Sequence, residues 1–262
     1  MWPPSPRFLR STKYTQSSAP LESMGLLSPS LKSISSRRRM PRQSPSVSSR
    51  VRLPLPTQKN CISGPSILPP LQSYFDSLDA LEKTSLEWAV VHNGTFLDYY
   101  APPTLKSHYD HGTVVLDIPN AAAGIPGTGD EPMTFTYTFD AARFTIAALD
   151  LPSWPRELRI VGDTLTYNEL TKLAEATRGV KFDVKYDDLE KLRRFEITEL
   201  PGHSNDYKKF PKDVLLPFLS IFQRWMAEGL GSISREGSLN EMFPEIEPLT
   251  AAGLMDLYWK TA

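Results

Sequence analysis

Residues 86–100 read LEWAVVHNGTFLDYY, and the order of residue types in that stretch decides the fold class. LEWAVV has the apolar content of a buried strand, HNG is a polar turn, and an aromatic cluster follows at once. That succession fits a strand end delivering a ligand-facing loop in an open α/β sheet, where crevices lie beyond the carboxyl ends of strands. Asn93 and Gly94 suit a backbone that turns sharply toward a ligand. Phe96, Tyr99 and Tyr100 suit the wall of an apolar pocket. Ordinary packing, with Phe96 and Tyr99 filling the edge of the core, explains the same residue types.

Upstream, Leu71, Phe75, Leu78 and Leu81 recur at helical spacing, so residues 67–83 predict an amphipathic helix. Downstream, TVVLDI is a second apolar run, and AAAGIPGTGDEP is rich enough in turn formers to predict a loop. MTFTYTF alternates as a strand. Asp140 is placed to cap a helix over AARFTIAALDLP, stopped at Pro152. LRIV and KFDVKY predict strands. Thr166 and Glu169 form a capping box opening a helix that Gly179 closes. DDLEKLRRFEITELP predicts a helix ended by Pro201, VLLPFLSIFQRWMAEGLG an apolar helix bent at Pro217, and TAAGLMDLYWK a short helix docked on the body. Strands alternating with helices argue α/β.

The net charge of −1 conceals two parts of opposite sign. Residues 1–60 hold eleven Lys and Arg against the single acid Glu22, so the remainder is strongly acidic. Rich in Ser, Pro and Arg and without apolar periodicity, residues 1–62 predict a disordered arm. Three roles fit it: an organelle transit peptide, a nuclear or nucleic-acid patch at Arg37-Arg38-Arg39-Met40-Pro41-Arg42, or an extension without function. The expected location is cytoplasmic, with mitochondrial or nuclear targeting as the alternative that arm offers. Nucleic acid is not expected as a partner of the acidic remainder. The single Cys61 excludes an internal disulfide and fits a reducing compartment. No apolar run approaches the roughly 18 residues a bilayer span requires, so no membrane partner is expected.

Gly124–Gly129 reads GIPGTG, the reverse of the G-x-G-x-x-G dinucleotide spacing, and a strand-like run follows it where a helix is required. A loop shaped by its turn residues is the better account. His108 and His111, with His92 and Asp98 nearby, lie in a proline-broken loop, and no metal is expected there. Asn93-Gly94-Thr95 matches a glycosylation acceptor, but no secretory signal accompanies it. No G-x-S-x-G elbow occurs.

LEWAVVHNGTFLDYY, VVLDIPNAAAGIPGTGDEPMTFTYTFDAARFTIAALDLP, RIVGDTLTYNELTKLAEATRG and KFDVKYDD together resemble the NmrA-like and isoflavone-reductase-like proteins, the atypical short-chain dehydrogenases, from about Leu81 onward. The resemblance implies an α/β chain carrying the C-terminal part of a Rossmann-type NAD(P)-binding fold with its smaller substrate domain, residues 63–262, behind the arm. It implies NADP as cofactor and hydride transfer to a small organic, often aromatic, substrate. On that basis Asn93 and Gly94 would face the cofactor, Phe96, Tyr99 and Tyr100 the substrate, and residues 121–138 would wall it. Some members are non-catalytic redox-sensing regulators with a protein partner, which is the alternative reading. The family's G-x-x-G-x-x-G turn is absent, and so is its lysine on the helix before the LEWAVV strand, where Lys83 comes too late. The resemblance therefore carries no catalytic or phosphate-binding residue onto this chain. It also implies that one edge of the LEWAVV strand lacks its sheet neighbour.

Overall fold

The computed structural model describes residues 51–52, 69–109 and 112–260. Of the arm, only Val51–Arg52 fall among them, as a two-residue strand β1; the rest of that expectation lies outside the described residues. Helix α1, Pro69–Glu82, opens on two prolines, which fit the first turn because its N–H groups have no intrahelical partner. Its Tyr74, Phe75 and Leu78 pack with Val90, Ile221 and Trp225.

Strand β2 is only Val90–His92, not the whole of LEWAVV. It pairs in parallel with β1 on one side and with β7, Glu157–Arg159, on the other. The edge expected to lack a neighbour therefore has one, which satisfies backbone groups that would otherwise offer themselves to other chains. Leu86–Ala89 are tied down by side chains instead. Glu87 accepts from the Trp154 amide at 2.8 Å, and Arg156 lies over the Trp88 ring and donates to its carbonyl.

Beyond β2 the chain forms β3, Thr95–Phe96, and a 3-10 turn, Leu97–Tyr100. Strand β4, Leu116–Asp117, runs antiparallel to β5, Ala122–Pro126, and β6, Met133–Thr136, runs parallel to β3. Strand β5 corrects the sequence reading, which placed a loop there. All five of its residues are buried, and it pairs in parallel with β9, Asp183–Asp187, along its whole length. Small residues mimic a turn in the sequence, but here they admit a close neighbour: a Cβ on Gly124 would lie 3.1 Å from the Thr198 side chain. Only Gly127 and Gly129, at φ 66 and 77, form the turn.

Helix α2, Thr138–Ala148, is not capped by Asp140, which sits in its first turn bound to Arg143 and to the Leu249 amide. The capping carboxylate comes from Asp98, which accepts from the Thr138 amide at 3.0 Å. Strand β8, Asp163–Leu165, completes the sheet of β3 and β6, and α3, Tyr167–Arg178, has the expected capping box and a left-handed Gly179. Such a cap is worth about 1 kcal/mol. Helix α4, Leu189–Arg193, is shorter than expected and ends before the positive-φ Phe195. Helices α5, His203–Asp206, and α6, Lys212–Ala227, follow, with Pro217 inside the latter. After α7, Leu239–Met242, helix α8, Ala251–Leu254, runs into a π turn, Met255–Trp259, whose Trp259 indole donates to the Tyr100 carbonyl at 2.8 Å. The chain end thereby reaches the main core around Tyr100, Phe135 and Tyr167.

Candidate functional site

The carboxyl end of β2 leads through Asn93 and Gly94 into β3. Gly94 has φ +72 and lies against β6, so that an added Cβ would fall 2.8 Å from the Thr134 Cβ. Asn93 is fully buried; its amide nitrogen donates to the Gly94 carbonyl, while its Oδ1 has no partner. The Nε2 of buried His92 likewise has none. Buried polar atoms are nearly always satisfied, so two orphans on consecutive residues at a strand end stand out.

The three aromatics part company. Phe96 turns into the cluster of Val91, Phe144 and Ile160, with its ring 4.8 Å from Tyr109. Tyr100 belongs to the core, with its hydroxyl 3.1 Å from that of Tyr167. Tyr99 and Tyr100 also line a cavity of about 290 Å³ with Leu116, Asp117, Asp206 and Trp259. Phe96 is not among its described lining, and neither is any residue of the 121–138 region expected to wall a substrate, because β5 and β6 are buried in their sheets. Burial, then Tyr109 and Asp98, push the Tyr99 phenol up to about 12. Tyr99 therefore stays protonated at neutral pH, a hydrogen-bond donor rather than a base.

The cavity's acids are held by the backbone. Asp117 accepts from the Gly202 amide at 2.6 Å and from Asn120 Nδ2 at 2.9 Å. Asp206 Oδ2 accepts from the Thr113 amide at 2.9 Å. Beneath them His203 is fully buried, its Nδ1 accepting from the Leu200 amide and its Nε2 meeting the Thr113 carbonyl, which fixes the Nε2–H tautomer. Arg178 donates to the Ile118 carbonyl and lies over the Trp259 ring. Sequence reasoning missed Asp117, Asp206 and Trp259, which come from three remote segments with no shared motif. A second hollow of about 310 Å³, between α1 and β2, is lined mostly by apolar side chains such as Tyr74, Leu78, Leu81 and Val90.

Desolvation lowers the pKa of both His203 and His92 below the ordinary 6.5. Both are neutral when folded, so the unfolded chain binds more protons below pH 6.5. Their contribution to stability is complete above 6.5 and is lost as pH falls through the depressed values. The melting temperature should fall as pH drops below 6.5, and His203→Gln should flatten that fall; a variant profile parallel to wild type would contradict the assignment.

His108 stacks on Phe139, and Asp98 is committed to Ser107 and Thr138. Among the described residues no three His, Cys, Asp or Glu converge on a metal-sized point. No helix is long and apolar enough to cross a membrane, again among the described residues. A dinucleotide fits this part poorly. The amides of Gly124, Gly127 and Gly129 are bound to the Val115 carbonyl, the Asp187 carbonyl and the Glu131 carboxylate, so none is left for a phosphate.

The fold is that of the NmrA-like and isoflavone-reductase-like NAD(P)-binding reductases. No family model matches the chain. Oxidoreductase BOA1 of Botryotinia fuckeliana is 34% identical over 171 residues, covering 64% of this chain and 53% of that protein. The chain spans about half the length of the curated relatives it matches. Among solved structures, leucoanthocyanidin reductase of Vitis vinifera superposes with a TM-score of 0.53 at 14% identity, covering 72% of this chain and 62% of the other. The NADPH-dependent quinone oxidoreductase QOR2 of Escherichia coli, complexed with NADPH, gives 0.52 at 12%, covering 72% and 59%.

Proposed function

We propose that this chain is an NAD(P)H-dependent oxidoreductase of the NmrA-like, isoflavone-reductase-like class, acting on a small organic, often aromatic, molecule. In this reading the domain begins near residue 63, Asn93 and Gly94 face the cofactor, and Tyr99 and Tyr100 face the substrate. The observation that carries it is the cavity: aromatic-walled, and reached within a few residues of the strand end that bears the two orphaned polar atoms. Ligands of open α/β sheets lie in that position. Curated relatives named oxidoreductases support the reaction class.

The proposal has a second half. With no glycine-rich strand–helix turn in its 262 residues, this chain holds NADPH weakly, and its activity is impaired accordingly. The test follows NADPH oxidation with a panel of carbonyl and phenolic compounds. The expected result is a substrate-dependent rate that climbs with NADPH and reaches no plateau in the micromolar range. No substrate-dependent rate at any NADPH concentration would contradict the oxidoreductase reading. A redox-sensing regulator that binds a protein partner is the second reading, favoured by α1, which carries no lysine.

A further inference from the structure

The cavity has a charge character that the reductase reading does not require. Among its described lining residues are two carboxylates, Asp117 and Asp206, and no Lys, Arg or His. The Arg178 guanidinium lies over the Trp259 ring at 5.4 Å with its NH1 given to the Ile118 carbonyl. The buried His203 below is neutral, held so by burial and by the Leu200 amide on Nδ1.

The two carboxylates differ in what they have left to offer. Both oxygens of Asp117 are engaged, so it contributes field rather than a contact. Asp206 uses Oδ2 for the Thr113 amide, and its Oδ1 has no partner among the described residues. Tyr99, only partly buried, adds aromatic surface whose face attracts cations, while Tyr100 and Trp259 close the wall from the core side. Among the described lining, an anionic ligand would meet two like charges with no counter-charge. A cationic one would meet Asp206 Oδ1, unpaired among the described residues, in a wall that includes Tyr99.

We propose that this cavity selects a cationic ligand, an aromatic amine, over a neutral one and rejects carboxylates and phosphates, with Asp206 as the residue that sets the preference. The proposal rests on the reading of this cavity as the ligand site and adds the substrate's charge to it. A charge pair a few ångströms apart near a protein surface is strong enough to separate such ligands by about tenfold or more.

The test uses three probes of one shape, benzylamine, benzyl alcohol and benzoate, titrated at neutral pH into the full chain and followed by ligand-observed NMR. Benzylamine, protonated under those conditions, should bind at least about tenfold more tightly than benzoate, with the alcohol between. Asp206→Asn keeps an oxygen for the Thr113 amide, so the variant should fold, and it should cut the benzylamine preference by about threefold or more while leaving the alcohol unchanged. Benzoate binding as tightly as benzylamine, or an unaltered preference in the variant, would overturn the charge selection while leaving the cavity a ligand site. Failure of all three probes to saturate would remove the ligand-site reading as well.

Discussion

Gly94→Ala should cost about 2–5 kcal/mol of folding stability, most of what a marginal domain has to lose. Two costs add at this position. A non-glycine residue at φ +72 adopts the left-handed conformation, at about 1–2 kcal/mol. The new methyl would also fall 2.7 Å from the Thr134 carbonyl carbon and closer still to its oxygen. Thr134 has little room to yield. Its strand is paired on both sides, its amide donates to the Gly231 carbonyl, and its hydroxyl accepts from the Ile233 amide. Denaturant titration of the two proteins measures the difference. A loss below about 1 kcal/mol would show that the β2–β3 turn is soft and that Gly94 is replaceable.

Asp98→Ala should be nearly as severe, at about 3–5 kcal/mol, because one buried carboxylate organises two segments. It accepts from the Ser107 hydroxyl at 2.6 Å, the Thr138 amide at 3.0 Å and the Thr138 hydroxyl at 2.6 Å. The first bond pins the loop after the 3-10 turn, and the other two cap α2. Without the carboxylate, the Thr138 amide at a helix start loses its partner. Asp98→Asn, which keeps an acceptor, should lose about half as much. Hydrogen exchange at the Thr138 amide distinguishes this account from general loosening. Its protection should drop first in the alanine variant, and unchanged protection there would contradict the capping role.

Local chemistry made part of the molecule legible in the sequence. Thr166, Glu169 and Gly179 announce both ends of α3, KFDVKY announces β9, and strand–helix alternation announces the α/β class. The resemblance in fold rests on the same ordered blocks. The rest depends on partners distant in sequence. AAGIP reads as a turn because its residues are small and include Gly and Pro, yet it pairs with β4 and β9, and at Gly124 the missing Cβ leaves room for the Thr198 side chain. Asp140 was the obvious cap for α2, and only the folded chain brings Asp98, forty residues upstream, to that end.

The site divides the same way. Asn93 and Gly94 were visible as a strand-end turn, but the orphaned Oδ1 of Asn93 exists only once burial is known. Tyr99 and Tyr100 were visible as aromatic wall. That Phe96 instead packs under α2, and that Asp117, Asp206 and Trp259 finish the cavity, required the tertiary fold.

The central claim is that these 262 residues carry the ligand-holding part of a reductase fold without an effective grip on the dinucleotide. Calorimetric titration of the purified chain with NADPH tests it most directly. The account predicts no saturation through the micromolar range; a stoichiometric complex with a dissociation constant of about 1 μM, worth roughly 8 kcal/mol, would contradict it.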